Sequence, residues 1–172
     1  MLLAEALASK KDALKEVTDL SERLAAAAVR YEDLDAATED PTELLTKLDT
    51  ALDRLESLTV KINLTNNQAR LAFDGRDLSI MEAVALRDRL VLEARVRRGV
   101  VEAIEAGMET KASSPRPAYY QQPTARRSKD DVRKIVTVDY KAARAAADGL
   151  SEQVRRLDIA LQQQNWTVQL ID

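Results

Sequence analysis

The last third of the chain carries the pattern that most constrains its fold. Between residues 138 and 170, apolar residues recur in steps of three and four. This spacing keeps one apolar stripe in register along a helix, and such a stripe needs partner helices to cover it. The sequence therefore predicts a long bundle helix that begins at Asp139 and ends near a run of three glutamines. Its stripe consists of Tyr140, Ala143, Ala147, Leu150, Val154, Leu157 and Leu161.

Residues 165–170, Asn-Trp-Thr-Val-Gln-Leu, are predicted to form an extended tail after this helix. The alternation of Trp166, Val168 and Leu170 would place three apolar side chains on one side of the tail. We expect Trp166, the only tryptophan, to be a buried packing anchor, with Asn165 satisfying backbone groups beside it. The β-branched run at 135–138 is predicted to be a short strand, and the tail to pair with it or with a neighbouring subunit.

Three further helices are predicted before this one. The first covers residues 2–36. The second begins after Asp40, with Pro41 at the first helical position and Glu43 at the capping-box position. The third begins near residues 77–79, with Ser79 or Asp77 as the cap, and continues through Met108. Because aromatic residues make up only 3% of the chain and glycine and proline number four each, an all-α bundle of long antiparallel helices is favoured over a turn-rich β fold.

The polar end of the second helix and the following turn are assigned structural roles. Asn63 lies among apolar residues and is predicted to be a structural polar residue of the helix end. Asp74-Gly75 predicts a tight turn before the third helix. The 172 residues are expected to form a single helical-bundle domain with a linker at about 109–134.

The linker suggests a nucleic-acid-binding alternative. It contains seven basic and three acidic residues together with adjacent tyrosines. Basic side chains could contact phosphates, and a tyrosine could stack on a base. The net charge of -3 argues against general attraction to nucleic acid. The candidate contacts are Tyr119, Tyr120, Arg126, Arg127 and Lys129.

The absence of cysteine and histidine excludes several kinds of chemistry. Disulfides, thiolate metal sites, histidine general bases and histidine-containing zinc sites are all unavailable. The enzymatic alternative is a nucleotide hydrolase that holds Mg²⁺ with carboxylates. Glu102 and Glu105 lie one helical turn apart, and Asp49 and Asp53 form a second pair on another helix. These pairs alone do not specify a metal site, so no catalytic residue is assigned and no cofactor is predicted.

Targeting signals are not evident in the sequence. The first residues include an acid within a short apolar stretch and lack a basic segment, which is untypical of a secretory signal peptide. No uncharged run approaches the ~20 residues of a membrane-spanning helix. We therefore expect a cytoplasmic protein without a membrane span.

Five short motifs are distributed along the chain. They are Asp-Pro-Thr-Glu-Leu-Leu at 40–45, Ile-Asn-Leu-Thr-Asn at 62–66, Ala-Leu-Arg-Asp-Arg-Leu at 85–90, Val-Thr-Val-Asp at 136–139 and the tail at 165–170. Together they resemble the septicolysin-like family of small bacterial helical proteins. The resemblance implies a helical fold of unestablished function, and the family label suggests a pore-forming toxin.

The sequence as a whole favours a non-enzymatic structural or interaction protein that forms homo-oligomers. Long helices with several apolar stripes leave surface that one chain does not cover. A dimer is the simplest closed assembly, and a larger ring is the alternative. The sequence does not identify a further protein partner.

Overall fold

The computed structural model describes residues 1–28, 39–109 and 135–171. Within these ranges the chain forms four long helices and one small antiparallel sheet, so the predicted helical class is confirmed. The elements in chain order are α1 (Leu3–Ala27), α2 (Pro41–Gln68), β1 (Arg70–Phe73), β2 (Arg76–Ser79), α3 (Ile80–Glu109) and α4 (Tyr140–Thr167). The predicted continuation of the first helix through residues 29–36 and the linker at 110–134 lie outside the described residues.

The described chain divides into two compact units, and α3 and α4 each contribute to both. The first unit comprises Met1–Ala85 and Leu157–Asp172, and the second comprises Leu86–Arg156. The expectation of a single domain stays a prediction.

In the first unit, α1 and α2 pack antiparallel. Leu20 of α1 is buried in one cluster with Leu44 and Ala51 of α2. At the end of α1, Arg23 pairs with Glu39, and this hydrogen bond is the main cause that holds the pKa of the Glu39 carboxyl below its ordinary value. The predicted start of α2 is confirmed, because Asp40 Oδ1 accepts a hydrogen bond from Thr42 N at 2.9 Å and Pro41 follows the cap.

A β-hairpin joins α2 to α3. Its strands pair Arg70 with Ser79 and Phe73 with Arg76, and they bury Leu71, Phe73 and Leu78. Asp74 and Gly75 form the two-residue turn with φ of 45° and 75°, the left-handed geometry that Asp-Gly favours. The turn was predicted but the two strands were not, although short apolar alternation on both sides of Asp-Gly is a hairpin signal.

The start of α3 is a complete capping box. Glu82 N donates to Ser79 Oγ at 3.1 Å, and Ser79 N donates to Glu82 Oε2 at 2.7 Å. Two backbone donors at the helix start are thereby satisfied. Of the two predicted caps, Ser79 is therefore the correct one.

The C-terminal tail docks on the N-terminal residues of its own chain, which were neither of the two partners predicted. Val168 O accepts from Leu3 N at 2.9 Å, Leu170 N donates to Met1 O at 2.9 Å, and Leu2 and Gln169 form an isolated antiparallel bridge. The predicted strand at 135–138 is wrong, since these residues form no strand and Ile135 is 79% exposed. Backbone hydrogen bonds to the N-terminal residues satisfy the polar backbone groups of the tail instead.

In the second unit, α3 and α4 run antiparallel. Arg98 Nη2 donates to Ser151 Oγ at 3.2 Å, and Tyr140 Oη donates to Glu105 Oε1 at 2.6 Å. The predicted start of α4 is confirmed by Asp139, whose Oδ1 accepts from Lys141 N and Ala142 N. Among the described residues of this unit, the buried apolar side chains are Leu90, Ala94, Val101, Ile104 and Ala147.

Candidate functional site

Trp166 is not the buried anchor that the sequence predicted. Helix α4 continues through Thr167, so residues 165–167 are helical rather than extended, and the Trp166 side chain is 66% exposed. Asn165 is half-buried, and Asn63 is exposed on α2. Because a helix places successive side chains 100° apart, Trp166 does not share one side with Val168 and Leu170 as it would in a strand.

Thr65 holds the tail where Trp166 was expected to do so. Its side chain is completely buried, and its Oγ1 donates to Lys61 O at 2.8 Å while accepting from Ile171 N at 3.0 Å. A buried hydroxyl with a donor and an acceptor partner satisfies two backbone groups at once. Sequence reasoning missed this role, because a threonine near a helix end has the same local signature whether it is exposed or buried.

The candidate metal ligands are not assembled into a site. No group of three or more acidic side chains in the described part of the chain is arranged to hold a metal ion. Asp49 and Asp53 are exposed on α2, and Glu102 is exposed on α3. Glu105 is already bonded to the Tyr140 hydroxyl and lies 3.8 Å from Arg144.

The Tyr140 hydroxyl connects Glu105 to Arg144. Arg144 Nη1 donates to Tyr140 Oη at 2.8 Å, and this hydrogen bond is the largest cause that raises the pKa of the Arg144 guanidinium. The nearby carboxylates of Glu105 and Asp148 act in the same direction. The network fastens the first turn of α4 to α3, which is a structural use of Glu105. The five candidate nucleic-acid contacts, Tyr119, Tyr120, Arg126, Arg127 and Lys129, lie outside the described residues.

Many large apolar side chains are exposed. In the described residues, 17 large apolar side chains are exposed, whereas 14 leucine, isoleucine, valine and phenylalanine side chains are buried. Single exposed apolar residues are ordinary, but a contiguous set at helical spacing marks an interaction surface. Helical spacing therefore identifies the exposed apolar residues that form a candidate interaction surface.

Helix α3 has such a set, which we call the α3 stripe: Leu92, Val96, Val100 and Ala103. Its members recur at steps of four and three and are all exposed, Leu92 by 62% and Val96 by 60%. The buried face of the same helix is formed by Leu90, Ala94, Val101 and Ile104. At 100° per residue, the middle of the α3 stripe lies roughly a third of a turn away from the middle of that face. Helix α3 therefore has two apolar sides, of which one is buried and the other exposed.

Charged residues of both signs border the α3 stripe on one side. Three charged residues of alternating sign recur here every seven residues, which is about two helical turns. They are Asp88, Arg95 and Glu102. All three side chains are exposed.

The α1–α2 pair carries a second exposed apolar set. Leu7 and Leu14 are seven residues apart on α1, and Leu45 and Leu52 are seven apart on α2. Since seven residues make nearly two helical turns, each pair lies on one side of its helix.

The opposite side of the α1–α2 pair forms a basic cleft of about 550 Å³. Its charged side chains are Arg54 and Lys61, and no lining residue carries a carboxylate. Gln169 and Leu170 of the docked tail close one end. The remaining lining residues are Met1, Ser9, Ser57 and Leu58.

The family model for DUF6847, a family of unknown function, matches residues 10–170. This chain belongs to that family. The resemblance to septicolysin-like proteins is therefore wrong, since neither the matching family nor the similar solved structure bears that description, and the toxin function that it implied has no support.

The fold is also found in a solved structure. A crystal structure of a functionally unknown conserved protein from Corynebacterium diphtheriae is similar to this chain with a TM-score of 0.72 and 24% identity, over 99% of both chains. At this identity the likeness shows a shared fold. None of the curated proteins matches the chain. Within the described residues, no helix of this family member combines the length and hydropathy needed to cross a bilayer.

Proposed function

We propose that this member of the DUF6847 family is a structural or interaction protein that assembles with copies of itself through the α3 stripe. The observation that carries the proposal is the exposure of Leu92, Val96 and Val100 along one helix whose other face is already buried. A helix that is apolar on two sides needs two packing partners.

A second copy of the same chain suits this surface because its border is self-complementary. In an antiparallel pair of α3 helices, residues on the same flank face each other across a two-fold axis. With the axis between residues 98 and 99, Arg95 of each copy faces Glu102 of the other. Val96 then packs between Val100 and Ala103 of the partner, so the apolar and charged contacts agree on one register.

Sedimentation equilibrium at micromolar concentration tests this assembly. We expect the wild-type chain to have at least twice the 19.1 kDa mass of one chain. Val96→Glu should lower the mass, because the introduced carboxylate of each copy would be buried in the interface without a partner. Ile159→Glu, at a similarly exposed position on α4, is the matched control and should keep the wild-type mass. A wild-type monomer would contradict the proposal.

The register is tested by cysteine cross-linking, for which the natural chain supplies no competing thiol. Gly99 lies beside the proposed axis, and Gly99→Cys should oxidise to a disulfide-linked dimer. Gly149→Cys is the control on α4, since a side chain at either glycine meets open space. Equal cross-linking of both variants would contradict the proposed register.

Charge reversal provides a second check of the register. Arg95→Glu and Glu102→Arg should each weaken assembly, and the double reversal should restore it, because the pair is rebuilt with opposite sign. Additive weakening in the double variant would show that the two residues do not meet.

A further inference from the structure

We infer that the basic cleft is a binding site for short phosphate chains, as found in inorganic polyphosphate or in nucleoside diphosphates and triphosphates. The cleft lies between α1 and α2 and is closed at one end by the tail. Its volume of about 550 Å³ is within the range of small-molecule sites, which is roughly 300–1,000 Å³.

The charge of the cleft selects an anion. Arg54 and Lys61 line it, and no carboxylate does. A guanidinium can bind phosphate with two parallel hydrogen bonds, and an ammonium adds a compact positive charge. Both residues also have protein contacts, so a bound anion would share these cations with their present partners.

The spacing of the two cations favours a chain of phosphates over a single one. Arg54 and Lys61 are seven residues apart on α2, which separates their backbones by roughly 10 Å along the helix. Two or three linked phosphates can contact both side chains, whereas one phosphate would require them to converge over the buried Leu58.

Neutral polar side chains also line the cleft. Ser9 of α1 and Ser57 of α2 contribute hydroxyl groups, and Gln169 contributes an amide. The backbone around Gln169 is held in place because Val168 O accepts from Leu3 N and Leu170 N donates to Met1 O. The Gln169 side-chain Oε1 accepts from the Met1 ammonium at 3.4 Å. The wall formed by the tail is therefore preformed, which lowers the entropic cost of binding.

Glu16 provides a specific test of the site, because its carboxylate lies close to Arg54. Its carboxylate lies 3.9 Å from Arg54 Nη1, and both side chains are about half exposed. A phosphate that binds Arg54 must compete with this carboxylate. Removing its charge should therefore strengthen phosphate binding, an effect that a purely structural role of Arg54 would not produce.

Isothermal titration calorimetry of the full chain with tripolyphosphate, without divalent cations and at fixed ionic strength, tests the inference. Arg54→Gln and Lys61→Gln should each weaken binding by about tenfold or more, the usual value of a hydrogen bond to a charged group. Lys61→Arg should retain binding because the positive charge remains. Glu16→Gln should strengthen binding. The control Lys47→Gln, on the exposed side of α2, should leave binding unchanged.

The ligand series identifies the source of the phosphates. Tighter binding of a nucleoside diphosphate than of pyrophosphate would assign the cleft to nucleotides, with Leu58 and Leu170 against the nucleoside, and equal binding would assign it to the phosphate chain alone. Circular dichroism establishes that each variant is folded. Absence of tripolyphosphate binding to the wild-type chain would overturn the inference. So would orthophosphate binding as tightly as tripolyphosphate, or unchanged tripolyphosphate binding in the folded variants Arg54→Gln and Lys61→Gln. None of these outcomes depends on the assembly through the α3 stripe.

Discussion

At the scale of single residues, Thr65 has the most demanding environment. Its hydroxyl is buried and serves both Lys61 O and Ile171 N. Valine has nearly the same shape but lacks the hydroxyl, so Thr65→Val would leave the Ile171 N–H without its acceptor. We expect a loss of about 1–3 kcal/mol in the free energy of unfolding, measured by urea titration.

Thr50→Val is the matched control for this prediction. The Thr50 hydroxyl also donates to a carbonyl four residues earlier, Thr46 O at 2.9 Å, but the side chain is exposed. The control should change the free energy of unfolding by about 0.5 kcal/mol or less. Equal losses in the two variants would mean that the bond to the tail contributes nothing measurable.

At the scale of elements, we expect the stability of the start of α3 to depend on pH. The pKa of the Glu82 carboxyl lies below its ordinary value, mainly because of the hydrogen bond from the Ser79 backbone N–H and next because of the bond to the Ser79 hydroxyl. A carboxylate with a lowered folded-state pKa stabilises the fold fully above its unfolded pKa, about 4.3. That contribution is lost as the pH falls through the folded-state pKa.

Urea unfolding of Glu82→Gln at neutral and acidic pH measures this contribution. The variant should be less stable than wild type at pH 7, and the difference should shrink as the pH falls below about 4. Glu56→Gln, on the exposed side of α2, is expected to stay within about 0.5 kcal/mol of wild type. A difference between wild type and Glu82→Gln that is constant with pH would contradict the assignment.

At the scale of the whole molecule, the exposed apolar side chains are the basis of the proposed assembly. In the assembly proposed above, contact through the α3 stripe would close a dimer, and a second surface such as the leucines of α1 and α2 would permit a larger ring. Trp166 adds a large exposed aromatic side chain at the end of α4.

Because Trp166 is the only tryptophan, the burial of its side chain in the isolated chain can be measured. With about a third of its side chain covered, Trp166→Ala should cost at most about 2 kcal/mol in a dissociated chain, below the 3–5 kcal/mol typical of a fully buried aromatic residue. Urea unfolding of the Val96→Glu background, where assembly is weakened, measures this cost. Fluorescence of that background should be that of a water-exposed indole, and a buried emission spectrum there would contradict the exposed position.

The amino-acid sequence by itself determined the helices and most of their starts. Apolar spacing of three and four residues defines a helix locally, and Asp40, Ser79 and Asp139 cap helices through bonds to residues two or three positions away. The Asp-Gly turn is equally local. The hairpin around this turn is also predictable from local signals, since its two strands are adjacent in sequence.

Only the tertiary structure decided where the tail docks and which apolar faces stay exposed. Ile171 bonds to Thr65 across 106 residues, and residues 168–170 pair with the first residues of the chain. No local signal selects such a partner over the β-branched run at 135–138, because both segments offer the same unpaired backbone groups. Likewise, the stripes of α3 are alike in composition, and whether Leu90 or Leu92 is buried depends on the side from which another helix packs.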